Sequence, residues 1–188
     1  MTGKQTQAIN TPKTESTCNN MSADIPNYSD YVLAQIEAIS ESAPIKPILS
    51  WGLALPDEII NTMKARNIEH HHYTCDEALA FLTNSPAVSL ALVNHGLQRL
   101  TRAQAQSAIG QLRNYVATRI LVAIYPELDS PLSFNDWLAL GFRKGPTVKL
   151  SGRAVATYEY NLVSYNPKRE WNNSKNWANP ELFDKHRW

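Results

Sequence analysis

Val88-Ser89-Leu90-Ala91-Leu92-Val93, followed by Asn94-His95-Gly96-Leu97-Gln98-Arg99-Leu100, is the stretch whose reading decides the fold. The first part is nearly continuous in apolar residues, which predicts a strand covered on both faces. The second part predicts a short polar turn. Thr101 and Gln104 then make a capping-box pair. Behind them Ala105, Ala108, Ile109, Leu112 and Val116 share one helical face, while Arg102, Gln106 and Arg113 face water. The pattern predicts a helix over 101–116 and a second covered strand from Arg119 to Ile124. A strand, a crossover helix and a strand of this kind imply a parallel pair joined by a right-handed connection.

Working outward, the upstream chain repeats the alternation. Val32, Ile36 and Ile39 place one helical face between Ser29 and Ser40, with Tyr28 and Tyr31 beside it and Ser29 as the N-cap. Pro44 and Pro47 break the chain. Ile48 to Gly52 is a short strand. Pro56 to Arg66 is a helix with Ile59, Ile60 and Met63 inward and Asp57-Glu58 at its start. Ile68 to Tyr73 is a further strand, and Thr74-Cys75-Asp76-Glu77 opens a helix carrying Ala78, Leu79, Phe81 and Leu82.

Downstream, Tyr125 to Leu132 is a proline-containing loop. Ser133-Phe134-Asn135-Asp136 starts a short helix through Trp137, Leu138 and Leu140, ended by Gly141. Thr147 to Leu150, Ser151-Gly152-Arg153 and Ala154 to Tyr165 read as a hairpin whose second arm alternates like an antiparallel strand.

Composition narrows the function classes. Among 188 residues, 18 basic side chains face 17 acidic ones, so global charge makes no case for nucleic acid or an anionic membrane. No run approaches the roughly 18 apolar residues of a membrane span. Two cysteines, Cys18 and Cys75, form neither a disulfide framework nor a four-ligand zinc pattern. No secretory signal is visible, so a cytoplasmic setting is expected. Residues 1–26 are polar and aperiodic and read as a disordered tail. Residues 27–165 form the domain. Residues 166–188 hold Trp171, Trp177, Phe183 and Trp188, and are expected to pack on it. Lys168-Arg169, Lys175 and Lys185-His186-Arg187 lie among those aromatics, a composition that can stack bases, although Glu170, Glu181 and Asp184 dilute it.

The order of elements resembles the class I S-adenosylmethionine-dependent methyltransferase fold over Ile48 to Tyr165. Leu90 to Leu100 looks like that family's fourth strand and turn, and Trp137-Leu138-Ala139-Leu140-Gly141-Phe142 resembles its entry into the final hairpin. The whole chain also resembles a small bacterial group of uncharacterised short proteins of this fold. The resemblance implies a three-layer α/β sandwich with a mostly parallel six-stranded sheet, order 2-1-3-4-6-5, closed by an antiparallel C-terminal hairpin. That is the Rossmann-like methyltransferase order lacking one strand–helix unit, about thirty residues, and with it one wall of the cofactor pocket.

Other departures touch the cofactor directly. The family's loop after the first strand is glycine-rich, whereas here it reads Ser50-Trp51-Gly52-Leu53-Ala54-Leu55-Pro56 with Gly52 alone to serve. The second strand should end in an acidic residue that grips ribose. Here it ends His72-Tyr73-Thr74, and Asp76 or Glu77 serve either as substitutes or as first-turn helix charges. The family's turn carboxylates are replaced by His95 and Gln98.

His95, at the carboxyl end of a central strand, is the candidate catalytic residue, able to act as a general base or bind a ligand. Gly52, Asp76 and Asn94 are the candidate cofactor-binding residues. No cofactor is expected, with S-adenosylmethionine as the alternative. On a strand, His70 and His72 share a face opposite His71. No second cluster completes a metal site there, so no metal is assigned. The expected function is a methyltransferase-like binding or regulatory module with a degenerate cofactor site and an unknown small-molecule or protein partner. An atypical active methyltransferase and a nucleic-acid binder using the tail are the alternatives.

Overall fold

The computed structural model describes residues 25–75, 82, 85–126, 130–165 and 185. Residues 1–24 of the expected disordered N-terminal tail, most of the helix opened at Thr74, and all but Lys185 of the aromatic C-terminal tail lie outside the described residues, while Pro26 O accepts from Lys149 N.

Helix α1 (Tyr28–Ser40) leads into β1 (Ile48–Gly52), α2 (Asp57–Ala65) and β2 (His70–Tyr73). The unit read first follows as β3 (Val88–Asn94), α3 (Arg102–Gln111) and β4 (Ala117–Ile124). Then come α4 (Phe134–Ala139), β5 (Arg143–Leu150), β6 (Arg153–Asn161) and the helical turn α5 (Leu162–Tyr165). The sheet has six strands in the order β2-β1-β3-β4-β6-β5, as expected. β1 pairs in parallel with β2 and β3, and β3 with β4, while β6 runs antiparallel to both β4 and β5. This is the methyltransferase-type Rossmann-like order without its outermost strand.

β1 and β3 are buried along their whole lengths, because helices cover both faces. On one face α1 and α2 bring Tyr28, Val32, Ile36, Ile59 and Met63 onto Ile48, Leu90, Leu92 and Leu121. On the other, α3 and α4 bring Ala105, Ile109, Leu112 and Trp137 onto Leu49, Trp51, Val93 and Val122. The result is three layers.

Local details differ from the sequence reading. The α1 N-cap is Asn27, whose side chain accepts from Ser29 N, rather than Ser29. The capping boxes at Thr101/Gln104 and Ser133/Asp136 are both formed. The helix expected to reach Val116 widens to a π-helical turn at Leu112–Val116, where Ala117 N donates to Leu112 O. Arg102, Gln106 and Arg113, expected to face water, instead reach Asp136 and Leu140 O and tie α3 to α4. β5 begins at Arg143 rather than Thr147. A bulge between Lys144 and Thr147 accommodates Pro146, whose carbonyl accepts from Thr157 Oγ1. The second arm ends at Asn161 and gives way to α5. No helix of the described residues is long and apolar enough to cross a membrane.

Candidate functional site

In an open α/β sheet the ligand crevice opens where the strand order reverses, outside the carboxyl ends of the strands. Here that point lies between β1 and β3, at Gly52 and Asn94. The two chain segments meet there backbone to backbone. Leu53 N donates to Asn94 O at 2.8 Å, and Gly52 forms an isolated bridge with His95. Gly52 has φ +108°, and a Cβ on it would overlap Asn94 O and lie 2.6 Å from Gly96 N. Gly96 in turn lies under Trp51, whose ring atoms would come within 2.8 Å of a Cβ there. Trp51 is fully buried. The glycine that the sequence offered to a cofactor is thus taken up by contact between β1 and β3.

Asn94 is buried at the end of β3. Its Oδ1 accepts from Tyr28 Oη at 2.7 Å, which leaves Nδ2 buried with no hydrogen-bond partner. Burial raises the Tyr28 phenol well above its ordinary value, more than the Asn94 bond lowers it, so Tyr28 stays a neutral donor.

His95 adopts φ +59°, a left-handed conformation that turns the chain off the strand. Its ring stacks on Tyr125, with centroids 4.3 Å apart and planes 13° apart. Nδ1 lies 2.8 Å from Gln98 Nε2, and Cys75 Sγ lies 3.6 Å from the His95 carbonyl oxygen. Nε2 is buried and has no partner. Burial lowers the imidazole pKa, so the ring is neutral at pH 7. Gln98 meets the ring at Nδ1, and in the neutral imidazole one ring nitrogen donates while the other accepts.

A second polar group lies one strand over. Ser50 Oγ is 2.8 Å from both His70 Nε2 and His72 Nδ1, and His71 pairs with Glu69 on the opposite face at 3.2 Å. The alternation expected for the three histidines is present. Among the described residues, no group of three or more His, Cys, Asp or Glu side chains is placed to hold a metal.

Gly52, Asn94 and His95 are therefore brought together, and Asp76 lies outside the described residues. The sequence reading missed Tyr28, Gln98 and Tyr125 as partners of this cluster. Gln98 stands three residues after His95 in a turn, a spacing that lets the two side chains meet. Tyr28 and Tyr125 carry no local signal for their roles.

No curated protein matches the sequence. Among solved structures, magnesium protoporphyrin IX methyltransferase from Synechocystis PCC 6803, with bound SAM, is 15% identical. It matches 70% of this chain and 76% of its own, with a TM-score of 0.46. An O-methyltransferase family protein from Burkholderia thailandensis is 12% identical over 71% of this chain and 57% of its own, with a TM-score of 0.40. Residues 18–188 match the family of unknown function DUF6231, and the chain belongs to it.

Proposed function

We propose that this chain is a methyltransferase-like binding or regulatory module that does not take S-adenosylmethionine at the usual place in the fold. One observation carries the reading: Gly52 and Leu53 lie on Asn94 to Gly96, where a cofactor's methionine moiety would need open space above a glycine-rich loop. The residues at this point do not fit the cofactor. Trp51 is packed on Gly96, and the described part of the β2 end, His72-Tyr73-Thr74-Cys75, supplies no carboxylate for ribose.

Retained polar groups at the same edge suit recognition of a small molecule or a protein partner. Buried Asn94 and His95 each hold an unpartnered nitrogen. A membrane or nucleic-acid partner is not expected, and a cytoplasmic setting goes with the reading.

Isothermal calorimetry of the full chain with S-adenosylmethionine tests it. The expected result is no binding tighter than about 100 μM. Tighter binding that perturbs the backbone amides of Gly52 and Asn94 would overturn the reading in favour of an atypical methyltransferase.

A further inference from the structure

β2 is the edge strand at the side of the sheet away from the hairpin, and it carries three consecutive histidines. The pleat sends His70 and His72 to one face and His71 to the other. Ser50 on β1 stands in register with His72 and projects to the same face as His70 and His72. Its Oγ lies 2.8 Å from His70 Nε2 and 2.8 Å from His72 Nδ1. Two imidazole nitrogens therefore converge on one point and stand at most twice that distance apart. The ring centroids are 6.4 Å apart and the planes are tilted by 39°, so the rings approach that point from two sides rather than stack. Ser50 is fully buried and closes the base of the site, whereas His70 is half-buried and His72 is exposed.

A pair of this kind suits a first-row transition-metal dication, because imidazole nitrogen is a preferred donor for zinc, nickel and copper. A tetrahedral ion with metal–nitrogen bonds of about 2.0–2.1 Å holds its donors about 3.3 Å apart. The side-chain torsions of one exposed and one half-buried histidine supply that adjustment. Binding uses the lone pairs of both facing nitrogens. A neutral imidazole carries its proton on either nitrogen, so in the bound form the protons sit on His70 Nδ1 and His72 Nε2. Among the described residues no group of three or more His, Cys, Asp or Glu side chains forms here. The other positions on the ion fall to water on the open side, as in zinc sites that keep an exchangeable position. His71 is a control within the same strand: it faces the other way, with Nε2 3.2 Å from Glu69 Oε1.

We propose that His70 Nε2 and His72 Nδ1 form a two-histidine chelate for a zinc-class dication at the open edge of the sheet. The site uses none of the residues of the Gly52–Asn94–His95 cluster, and it stands whether or not S-adenosylmethionine binds.

The test is a titration of the untagged, ¹⁵N-histidine-labelled full chain with Zn²⁺, followed through the imidazole nitrogens by long-range heteronuclear NMR and in parallel by calorimetry. The ring nitrogens of His70 and His72 are expected to shift saturably with one ion per chain, and those of His71 and His95 to stay in place. The affinity should be tighter than about 100 μM. Mg²⁺, which prefers oxygen donors, should leave all of them unmoved. His70→Ala and His72→Ala should each weaken Zn²⁺ binding about tenfold or more, and His71→Ala should leave it unchanged. Should a variant fail to fold, the nitrogen shifts in the unaltered protein decide the question. No saturable shift of His70 and His72, an equal response to Mg²⁺, or binding lost as much in His71→Ala as in the other two overturns the proposal. Zinc taken up at other side chains with His70 and His72 unmoved overturns it as well. None of these outcomes alters the calorimetric answer on S-adenosylmethionine, so the two readings fail separately.

Discussion

Gly52 and Asn94 touch backbone to backbone across the point where the sheet reverses its strand order. Leu53 N donates to Asn94 O at 2.8 Å, and a Cβ on Gly52 would overlap that same oxygen. Gly52→Ala must both force an L side chain into φ +108° and push the strands apart. It is expected to destabilise the fold by about 3 kcal/mol or more, read from the urea midpoint. An unchanged midpoint would show that the glycine is free for another purpose, such as approach to a ligand.

Tyr28→Phe isolates a different contact. Tyr28 Oη is the hydrogen-bond donor to Asn94 Oδ1, and both residues are buried. Removing the hydroxyl leaves the Asn94 oxygen desolvated and unpaired, in addition to its already unpartnered Nδ2. The expected cost is about 1–3 kcal/mol. Replacing both partners, Tyr28→Phe with Asn94→Leu, should recover part of that loss, because no orphaned amide then remains. If the double variant is as unstable as the sum of the single ones, Asn94 has a structural partner other than Tyr28.

The strand order was legible because its signals are local. The apolar runs at Val88 and Arg119, the Thr101/Gln104 box and the stripe from Ala105 to Val116 each lie within one element, and period and capping decide them. The site was legible only as a set of backbone positions. Its chemistry depends on meetings that no local pattern records: Tyr28 with Asn94 across 66 residues, Trp51 with Gly96, and Tyr125 beneath His95. The same limit explains Arg102 and Gln106. On the helix they read as solvent-facing, and only the arrival of α4 brings the Asp136 carboxylate within reach.

Ser50, His70 and His72 predict a pH response. One hydroxyl between two imidazoles can donate to one and accept from the other while at least one ring is neutral. The His70 pKa is lowered from 6.5, first by burial and then by charge on His72 and His71. A depressed folded pKa means the unfolded chain takes up its proton first. Stability is therefore fully present above pH 6.5 and falls as the pH drops through the lower folded value. Urea midpoints measured from pH 7.5 downward should decline below about 6.5, and His70→Gln should flatten that decline. A residual slope is expected from His95, whose pKa burial also lowers. A His70→Gln profile that matches the unaltered protein would remove His70 as its source.

Asp136 joins α3 to α4, and its variants should separate capping from ion pairing. Its carboxylate accepts from Arg102 Nη2 at 2.6 Å and Gln106 Nε2 at 3.0 Å on α3. On its own helix it accepts from Ser133 N at 2.9 Å and Ser133 Oγ at 2.8 Å. The Arg102 bond, then the Ser133 bonds, hold its pKa well below the usual carboxylate range. Because the folded value is depressed, the stabilisation is present above the unfolded value near 3.8 and is lost as the pH falls through the folded one. Asp136→Ala should lower the urea midpoint at pH 7 and remove that acid limb. The Arg102 side chain is 68% exposed, so its attraction is screened, and about 1 M salt shortens the Debye length to about 3 Å. Arg102→Gln should therefore cost less than Asp136→Ala, and salt should erase most of its effect. The loss from Asp136→Ala, which removes the cap acceptor as well as the charge, should persist in salt, because the Ser133 capping bonds are short-range. The neighbouring residue is Trp137, so the Asp136→Ala loss should be accompanied by a change in the near-ultraviolet circular dichroism of its ring. Equal salt sensitivity of the two variants would mean that the ion pair alone, and not the cap, anchors α4.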